Sequence, residues 1–313
     1  MARPILIDTD PGVDDALALI FALQSPELSV KAITTVAGNV EVRKCTKNAL
    51  RILHFLHPAK PPIVAQGASK PLRRPLVTAP EVHGTDGLGN NTLRAPSTMT
   101  KTSLHAADVI IQCCRKYAGR LTIVAIGPLT NLATAWRKNP EALRKVGRII
   151  SMGGAFHVPG NTSPVAEFNY FVDPEAAHIL LQSGLPITLI PLDVTQQIVL
   201  MRRELEYRAK RRASALASMV LQFTRTYMQR HRKTEGFFGG YLHDPVAVAV
   251  AIDRSIVQTK NAHVDVETRG TLTRGMSVAD FRKKTRPGMP SVEVALRIDR
   301  DRFFKLFHER LWL

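Results

Sequence analysis

The sequence predicts an α/β fold, a single domain with a doubly wound, mostly parallel central sheet flanked by helices. Strand-like and helix-like segments alternate along the chain, which is the order that builds parallel sheets. The strand-like segments are apolar almost throughout, as in strands covered on both faces. Polar residues follow directly where several of these segments end. The 313 residues contain no repeat and no linker, so we expect one domain over residues 1–313.

The predicted elements follow one another with short connections. Predicted strands cover residues 5–7, 30–36, 62–65, 121–126, 148–152 and 187–190, and predicted helices cover 14–23, a run ending at 56, 129–136 and 246–252. Two longer loops, 68–100 and 156–173, interrupt the pattern. Loops of this length in a compact domain are often lids or binding loops. Ligands of doubly wound folds bind beyond the carboxyl ends of the strands, where the polar residues lie.

The composition limits the class of protein. The net charge is +17, and the basic residues gather at 202–212, 225–233 and 281–286. Acidic and apolar residues interrupt these runs, and aromatic residues for base stacking make up only 6% of the chain. We therefore expect solvated surfaces rather than a nucleic-acid interface. The sequence has no apolar stretch long enough for a membrane span and no signal peptide.

The cysteines predict a reducing compartment. Cys45, Cys113 and Cys114 lack the spacing of a metal site, and their number is odd. They are typical of reduced thiols in a cytoplasmic protein.

Four aspartates follow the first strand within eight positions: Asp8, Asp10, Asp14 and Asp15. Two unit charges about 4 Å apart repel by roughly 4 kcal/mol at an effective dielectric near 20. A hard divalent cation among the carboxylates would offset this repulsion. Capping of the following helix explains one of the aspartates, or two, but not those at the strand exit. An alternative is an aspartyl phosphatase, with Asp8 as nucleophile and a magnesium partner.

A second group of candidate residues is Glu167, Phe168 and Asn169, with Asn161 upstream. Carboxylate and amide side chains on one loop can make several directed hydrogen bonds to vicinal hydroxyls. The alternative interpretation is ordinary turn chemistry.

A third group, His243-Asp244-Pro245, enters the predicted apolar helix 246–252. Asp244 could cap that helix, with Pro245 at its first position. In the other interpretation, Asp244 is a further metal ligand, and His243 beside it is a proton donor near neutral pH.

These motifs together resemble the ribonucleoside hydrolases, the inosine/uridine-type N-ribohydrolases, nearly from end to end. The matching runs are DTDPGVDDA at 8–16, TTVAGN at 34–39, IGPLTN at 126–131, MGGA at 152–155, EFN at 167–169, VDPEA at 172–176, LDVT at 192–195 and HDP at 243–245. The resemblance implies one nucleoside hydrolase domain that splits the N-glycosidic bond of ribonucleosides into ribose and free base. The phosphatase alternative and a non-catalytic nucleoside-binding protein become distant alternatives.

The resemblance also implies a tightly held Ca²⁺. Its ligands would be Asp10, Asp15, Asp244 and the backbone carbonyl of Ile126, a position where the family usually has Thr or Ser. All-oxygen ligation suits calcium. Asp10 would also take the proton of the attacking water, and Asp8 would support the site from behind.

The resemblance further implies a ribose site. Asp14, Asn161, Glu167 and Asn169 would hold the ribose hydroxyls, with Asn39 beside the reacting sugar. Phe168 lies within the same motif. An acidic pocket of this kind would favour the positive charge that develops on the sugar ring in the transition state.

The leaving base is expected to be protonated by His243 in the branch of the family to which the chain is most similar. The resemblance adds three candidate catalytic residues beside His243. His83 lies in the matching first lid, and Tyr227 and His231 lie one helical turn apart, so both could face the pocket. The predicted lid segments are 76–92 and 222–243.

The phrases VETRG at 266–270 and RGMSV at 274–278 resemble the pyrimidine-preferring members, so we expect uridine and cytidine as substrates. An inosine/uridine or broader purine preference stays open. Relatives of this kind form homotetramers or homodimers.

Overall fold

A computed structural model describes residues 2–90, 99–282 and 289–311. The predicted lid residues 91–92 and most of the predicted basic run 281–286 lie outside these ranges. In the described part of the chain, no helix combines the length and the apolar character that crossing a membrane requires.

A nine-stranded sheet forms the centre of the domain, and a two-stranded sheet lies apart from it. The strands are β1 Arg3–Thr9, β2 Leu28–Thr35, β3 Ile63–Gln66, β4 Thr122–Ala125, β5 Arg148–Met152, β6 Ile187–Ile190, β7 Val199–Met201, β8 Gly239–Tyr241, β9 Val257–Val266, β10 Ser277–Asp280 and β11 Val292–Ile298. The large sheet has the order β10-β9-β11-β6-β5-β4-β1-β2-β3. The strands from β11 to β3 are parallel to their neighbours. The predicted doubly wound, mostly parallel sheet is thus confirmed.

Helices cover this sheet. They are α1 Val13–Leu23, α2 Val42–Leu56, α3 Pro80–His83, α4 Ala106–Lys116, α5 Thr130–Lys138, α6 Pro140–Leu143, α7 Phe168–Val172, α8 Pro174–Leu181, α9 Leu192–Thr195, α10 Arg202–Arg212, α11 Ala215–Thr234, α12 His243–Ile252 and α13 Arg300–Leu311. A short 3₁₀ turn, Arg254–Ile256, precedes β9.

The first strand shows why the sheet is buried on both faces. Ile5 and Ile7 point into one hydrophobic core and Leu6 into another, and all three are fully buried. Successive side chains of a strand point to opposite faces, so a strand between two cores must be apolar at every position. Helix α1 packs in the first of these cores, where Phe21 meets Phe307 of α13 with ring centroids 5.4 Å apart.

The antiparallel edge of the large sheet was not predicted. Strand β9 pairs antiparallel with β10 on one side and with β11 on the other. Its first half is largely exposed, with residues 258–261 open to solvent, so it carries no continuous apolar signal.

The strand order places the site. The chain fills one side of β1 with β2 and β3, and then the other side with β4, β5 and β6. The side on which successive strands are added therefore changes between β1 and β4. Doubly wound sheets bind ligands at such a point, in the crevice beyond the carboxyl ends of the strands. At this point Asp8 lies near the carboxyl end of β1, Asp10 directly follows β1, and Ile126 directly follows β4.

Candidate active site

A cavity of 640 Å³ opens at this edge of the sheet. Its volume lies within the range usual for small-molecule sites. Twelve of the fourteen predicted site residues line it: Asp14, Asn39, His83, Ile126, Asn161, Glu167, Phe168, Asn169, Tyr227, His231, His243 and Asp244. The other two, Asp10 and Asp15, are buried and accept hydrogen bonds from Asn39, which lines the cavity. The fold thus brings together residues that lie more than 200 positions apart in the sequence.

Asp15 is both a helix-capping residue and part of the acidic group. Its carboxylate accepts hydrogen bonds from the Gly12 backbone N–H at 3.0 Å and from the Thr9 hydroxyl at 2.5 Å. It also accepts from the Asn39 side-chain amide at 2.9 Å. The capping interpretation therefore applies to Asp15. These bonds fix the orientation of its carboxylate at the start of α1.

Asp10 has one satisfied and one unsatisfied oxygen. Its Oδ2 accepts a hydrogen bond from the Asn39 backbone N–H at 2.7 Å. Its Oδ1 is buried and has no hydrogen-bond partner among the described residues. Leaving a buried carboxylate oxygen without a partner costs free energy, so this atom marks a place for a cation.

Two glycines make room for this carboxylate. A Cβ on Gly38 would clash with Asp10 Oδ2, and one on Gly127 would lie 2.5 Å from Asp10 Oδ1. The sequence contained both glycines within the matching motifs, but only the structure shows that they enclose Asp10.

Asp14, Asp15 and Asp244 each offer a carboxylate oxygen, and these oxygens lie within 4.8 Å of one another. All three residues are buried. Burial raises the pKa of Asp244 well above its usual value, and the charges of Asp14, Asp15 and Asp10 raise it further. Burial and then the charge of Asp15 raise the pKa of Asp10 and of Asp14 in the same way.

This group of oxygens fits a hard divalent cation, since carboxylates and carbonyls are its preferred donors. The geometric group shares Asp15 and Asp244 with the predicted ligand set and contains Asp14. Asp10 lies beside it with its orphaned oxygen. The Ile126 carbonyl accepts a hydrogen bond from the Asn169 side chain at 3.2 Å, which leaves its second lone pair for a ligand.

Asp8 does not reach the cavity. It is fully buried, and its Oδ1 accepts hydrogen bonds from the Thr34 hydroxyl at 2.6 Å and the Asn131 amide at 2.8 Å. A nucleophile must face its substrate, so the phosphatase alternative is wrong. Asp8 instead links β1 to β2 and to the start of α5.

Glu167 is the N-cap of α7, which bears out the turn-chemistry interpretation for this residue. Its carboxylate accepts from the backbone N–H groups of Asn169 at 2.8 Å, Gly154 at 3.1 Å and Tyr170 at 3.2 Å. Burial nevertheless raises its pKa to about 7. The cap also orients Asn169, whose side-chain amide donates to the carbonyls of Ile126 and Met152.

Asn161 lies at the open rim of the cavity and is exposed. Its Oδ1 accepts a hydrogen bond from the Phe168 backbone N–H at 2.9 Å, which leaves its amide nitrogen for another partner.

Helix α12 begins at His243, with Leu242 as its cap. The interpretation of Asp244 as the helix cap is therefore wrong. His243 Nδ1 lies 2.8 Å from the Thr195 hydroxyl. Burial, followed by the nearby His231 and His83, lowers the pKa of His243 to about 3, so its ring is neutral near pH 7.

His83 and His231 are also held in defined orientations. His83 Nδ1 accepts from the Val13 backbone N–H at 3.1 Å, so the proton of its neutral ring is on Nε2. His231 Nδ1 lies 2.9 Å from the Tyr227 carbonyl, which can only accept, so its proton is on Nδ1. Burial lowers the pKa of His83 to about 3 and also lowers that of His231.

Tyr227 lies between these two histidines. Its ring stacks on His83 at 5.6 Å between centroids and contacts His231 at 4.4 Å. Its hydroxyl donates to the Tyr241 carbonyl at 2.9 Å. Burial and then the charges of Asp14, Asp244 and Asp15 raise its pKa well above the usual value. Tyr227 therefore keeps its proton near neutral pH.

Sequence reasoning missed several residues of the site, among them Thr195, Tyr241 and Arg230. Thr195 contacts His243, the Tyr241 ring lies 5.3 Å from that of His231, and Arg230 lines the cavity. Helical spacing could have found Arg230, because it shares a face of α11 with Tyr227 and Thr234, which also lines the cavity. No sequence signal pointed to Tyr241.

The chain is similar to known proteins over its full length. The model of the family described as inosine-uridine preferring nucleoside hydrolase matches residues 5–305. The pyrimidine-specific ribonucleoside hydrolase RihA of Enterobacter sp. is 42% identical over 312 residues, covering 99% of this chain and 98% of that protein. RihA of Salmonella typhimurium is also 42% identical, covering 99% of both chains.

Solved structures show the same similarity. A plant nucleoside hydrolase superimposes with a TM-score of 0.93 at 38% identity, covering 100% of this chain and 99% of that one. A purine-preferring ribonucleoside hydrolase from Gardnerella vaginalis gives a TM-score of 0.92 at 34% identity, covering 99% of this chain and 98% of that one.

Proposed function

Because the chain belongs to the inosine-uridine preferring nucleoside hydrolase family, we propose that it is a calcium-dependent hydrolase of pyrimidine ribonucleosides. Uridine and cytidine would be split into ribose and free base. The observation that carries the proposal is the group of buried carboxylates of Asp10, Asp14, Asp15 and Asp244 at one cavity. A neutral nucleoside needs no such charge for binding, whereas a metal and a cationic transition state do.

We propose that Asp10, Asp15, Asp244 and the Ile126 carbonyl hold the Ca²⁺. The orphaned Asp10 oxygen and the close approach of the Asp15 and Asp244 oxygens support this set. Bound there, the cation would neutralise the buried carboxylates and make water more acidic. Asp14, whose oxygen lies in the same group, would stand between the metal and the sugar.

The ribose would be held by Asp14, Asn39, Asn161, Glu167 and Asn169, with Phe168 against the sugar. Glu167 presents its carboxyl group to the cavity while three backbone N–H groups keep it in place. Rigid acceptors of this kind lose little entropy when they bind hydroxyls. They also lie where positive charge would develop on the ring.

Asp10 would accept the proton of the attacking water. Burial, and then the charges of Asp15 and Asp14, raise its pKa, which suits a general base. The backbone N–H of Asn39 holds one oxygen, and the other has no hydrogen-bond partner among the described residues.

The leaving base would receive a hydrogen bond from His243. If the Thr195 hydroxyl donates to Nδ1, the ring proton is on Nε2, where it can be donated to the base. His83, Tyr227 and His231 would form the rest of the base site. We place the lids at 76–92 and 222–243, since the described parts of both segments line the cavity.

The pyrimidine preference rests on the two RihA relatives, which are named pyrimidine-specific and match 99% of this chain. An inosine/uridine or purine preference is the alternative, supported by the similarity to the purine-preferring enzyme from Gardnerella vaginalis. We also propose a homotetramer or homodimer, to be measured by light scattering, and a cytoplasmic location, to be tested by cell fractionation.

A ribose-release assay tests the function. Uridine, cytidine, inosine, adenosine and guanosine are each incubated with the protein, with and without a calcium chelator. We expect fastest release from uridine and cytidine, loss of release with chelator, and recovery when Ca²⁺ is added. Asp10→Ala should abolish release while the circular dichroism spectrum stays unchanged. Full turnover in the chelated protein or in Asp10→Ala would contradict the metal and base assignments.

A further inference from the structure

A second cavity, of 780 Å³, lies between α10 and α13, away from the active site. None of its lining residues lines the active-site cavity. Its walls include Tyr207, Arg208, Arg211, Arg212, Lys305 and His308. We call it the basic cleft.

Three cations of the basic cleft have no carboxylate partner. Arg211, Arg212 and Lys305 are exposed, and no ion pair joins them to an acidic side chain within the described ranges. Earlier in α10 the pattern differs, since Arg202 pairs with Glu206 at 2.7 Å and Arg208 with Glu204 at 3.2 Å. The lining of the cleft thus holds four cations and one carboxylate, Glu309, which lies 3.9 Å from Arg310.

The helix dipole explains only part of this arrangement. Arg211 and Arg212 lie in the last turn of α10, where the negative end of the dipole favours cations. Lys305 lies in the middle of another helix, α13, and faces the same cleft. The dipole gives no reason for the two helices to bring their cations together.

His308 adds a buried polar group to the wall. Only 8% of it is exposed, and its Nδ1 has no hydrogen-bond partner in the described part of the chain. Its Nε2 lies 2.9 Å from Glu204 Oε1. Burial and then the charge of Arg208 lower its pKa to about 4, although Glu204 raises it, so the ring is neutral near pH 7. Its proton is therefore on Nε2, and the buried Nδ1 without a partner is an acceptor that favours a ligand with an N–H or O–H group.

Aromatic rings accompany these cations. Tyr207 is 60% exposed, and the guanidinium of Arg211 lies 5.6 Å from its ring centroid. Phe304 stacks on His308 at 5.6 Å between centroids. An exposed ring beside arginines can hold the planar part of a ligand while the cations hold its phosphate.

We propose that the basic cleft binds a phosphorylated small molecule of nucleotide size. Arg211, Arg212 and Lys305 would hold the phosphate, His308 Nδ1 would accept a hydrogen bond from an amino or hydroxyl group of the ligand, and Tyr207 would stack on the base. A nucleic acid needs a row of cations along its backbone. Here the cations converge on one cavity, whose volume suits a single small ligand. The site is independent of the nucleoside hydrolase site.

Isothermal titration of the full chain with inorganic phosphate and with AMP, at constant ionic strength, tests the proposal. We expect saturable binding of both, tighter for AMP. The triple variant Arg211→Ala/Arg212→Ala/Lys305→Ala should weaken both by about tenfold or more, since it removes the charge-assisted hydrogen bonds. Tyr207→Ala should weaken AMP and leave phosphate unchanged.

The matched control is Arg115→Ala/Arg120→Ala/Lys145→Ala, which removes the same charge from exposed positions elsewhere. It should bind both ligands like the parent protein. If the triple variant fails to fold, Lys305→Gln alone must still weaken phosphate binding. The proposal is overturned if neither ligand binds saturably, or if the control loses as much as the triple variant. Binding of duplex DNA through the same three residues, without binding of AMP, would also overturn it in favour of a nucleic acid.

Discussion

The chain gathers negative charge at the active-site cavity and positive charge at the basic cleft, in opposite surroundings. At the cavity, Asp10, Asp14, Asp15 and Asp244 are almost fully buried. At the basic cleft, Arg211, Arg212 and Lys305 are exposed. Like charges repel strongly when buried, while water and salt screen exposed ones. The fold can therefore tolerate the exposed cations alone, whereas the buried aspartates require protons or a cation.

This difference also explains why the net charge of the chain does not predict the charge of its active-site cavity. The +17 belongs to the whole chain, yet four buried aspartates, Asp10, Asp14, Asp15 and Asp244, gather at one cavity. A sum over the sequence weights an exposed arginine and a buried aspartate equally. Their electrostatic consequences differ several-fold.

Asp244→Asn should have the largest effect. It removes one charge from the carboxylate group and should lower Ca²⁺ affinity and kcat/KM by about 100-fold or more, because a ligand of the metal is lost. In the metal-free protein the same change should raise the free energy of unfolding by about 1 to 4 kcal/mol, because repulsion falls. Calcium titration, ribose release and urea unfolding measure these effects. Asp301→Asn, at an exposed position, is the control. A less stable metal-free Asp244→Asn variant would show that the carboxylates do not repel one another.

His243→Ala should come next. Removing the N–H that would donate a hydrogen bond to the leaving base should slow uridine hydrolysis by about 100-fold, as the loss of one transition-state hydrogen-bond donor does in other enzymes. Hydrolysis of a nitrophenyl riboside should slow much less, because its leaving group needs no proton. Steady-state kinetics on both substrates measure the difference, with the exposed His157→Ala as control. Equal losses on both substrates would argue against acid catalysis.

The pH dependence of stability should reveal Glu167. Its pKa is about 7 in the fold and near 4.5 in the unfolded chain, so the native state binds the additional proton between these values. Stability should therefore fall as the pH rises from about 4.5 to about 7, by about 3 kcal/mol from this group. Glu167→Gln cannot titrate and should show a smaller fall in urea unfolding between pH 5 and 8. The exposed Glu141→Gln should behave like the parent protein. An unchanged slope in Glu167→Gln would assign the titration to other groups.

The smallest effect is expected at the basic cleft. The Arg211→Ala/Arg212→Ala/Lys305→Ala variant should change the free energy of unfolding by less than about 0.5 kcal/mol per residue, since exposed substitutions seldom do more. Thermal unfolding without phosphate measures this. A large loss of stability would show that these cations support the fold, which would remove the contrast with the buried aspartates.

Much of the fold was predictable from short segments. The strands β5 and β6 have the predicted bounds, 148–152 and 187–190. Their continuous apolar character is a local signal of burial on both faces. The strands β9 to β11, with their antiparallel pairings, were missed because their pattern of apolar and polar residues is mixed and their pairing joins distant segments.

The sequence by itself determined the chemistry at the start of the chain. Asp10, Asp14 and Asp15 lie within six positions on one strand-to-helix junction, so local geometry keeps their carboxylates close. It could not orient Asp8, because one residue along a strand reverses the direction of the side chain.

Only the tertiary structure decided how the rest of the site is completed. Asp244 joins the aspartates because α12 packs against α1, and Glu167 faces the cavity while its carboxylate caps α7. The protons of His83 and His231 are placed by the Val13 backbone N–H and the Tyr227 carbonyl. The physical reason is that a residue's type limits the bonds it can form, whereas burial and the neighbours supplied by distant segments determine which bonds form.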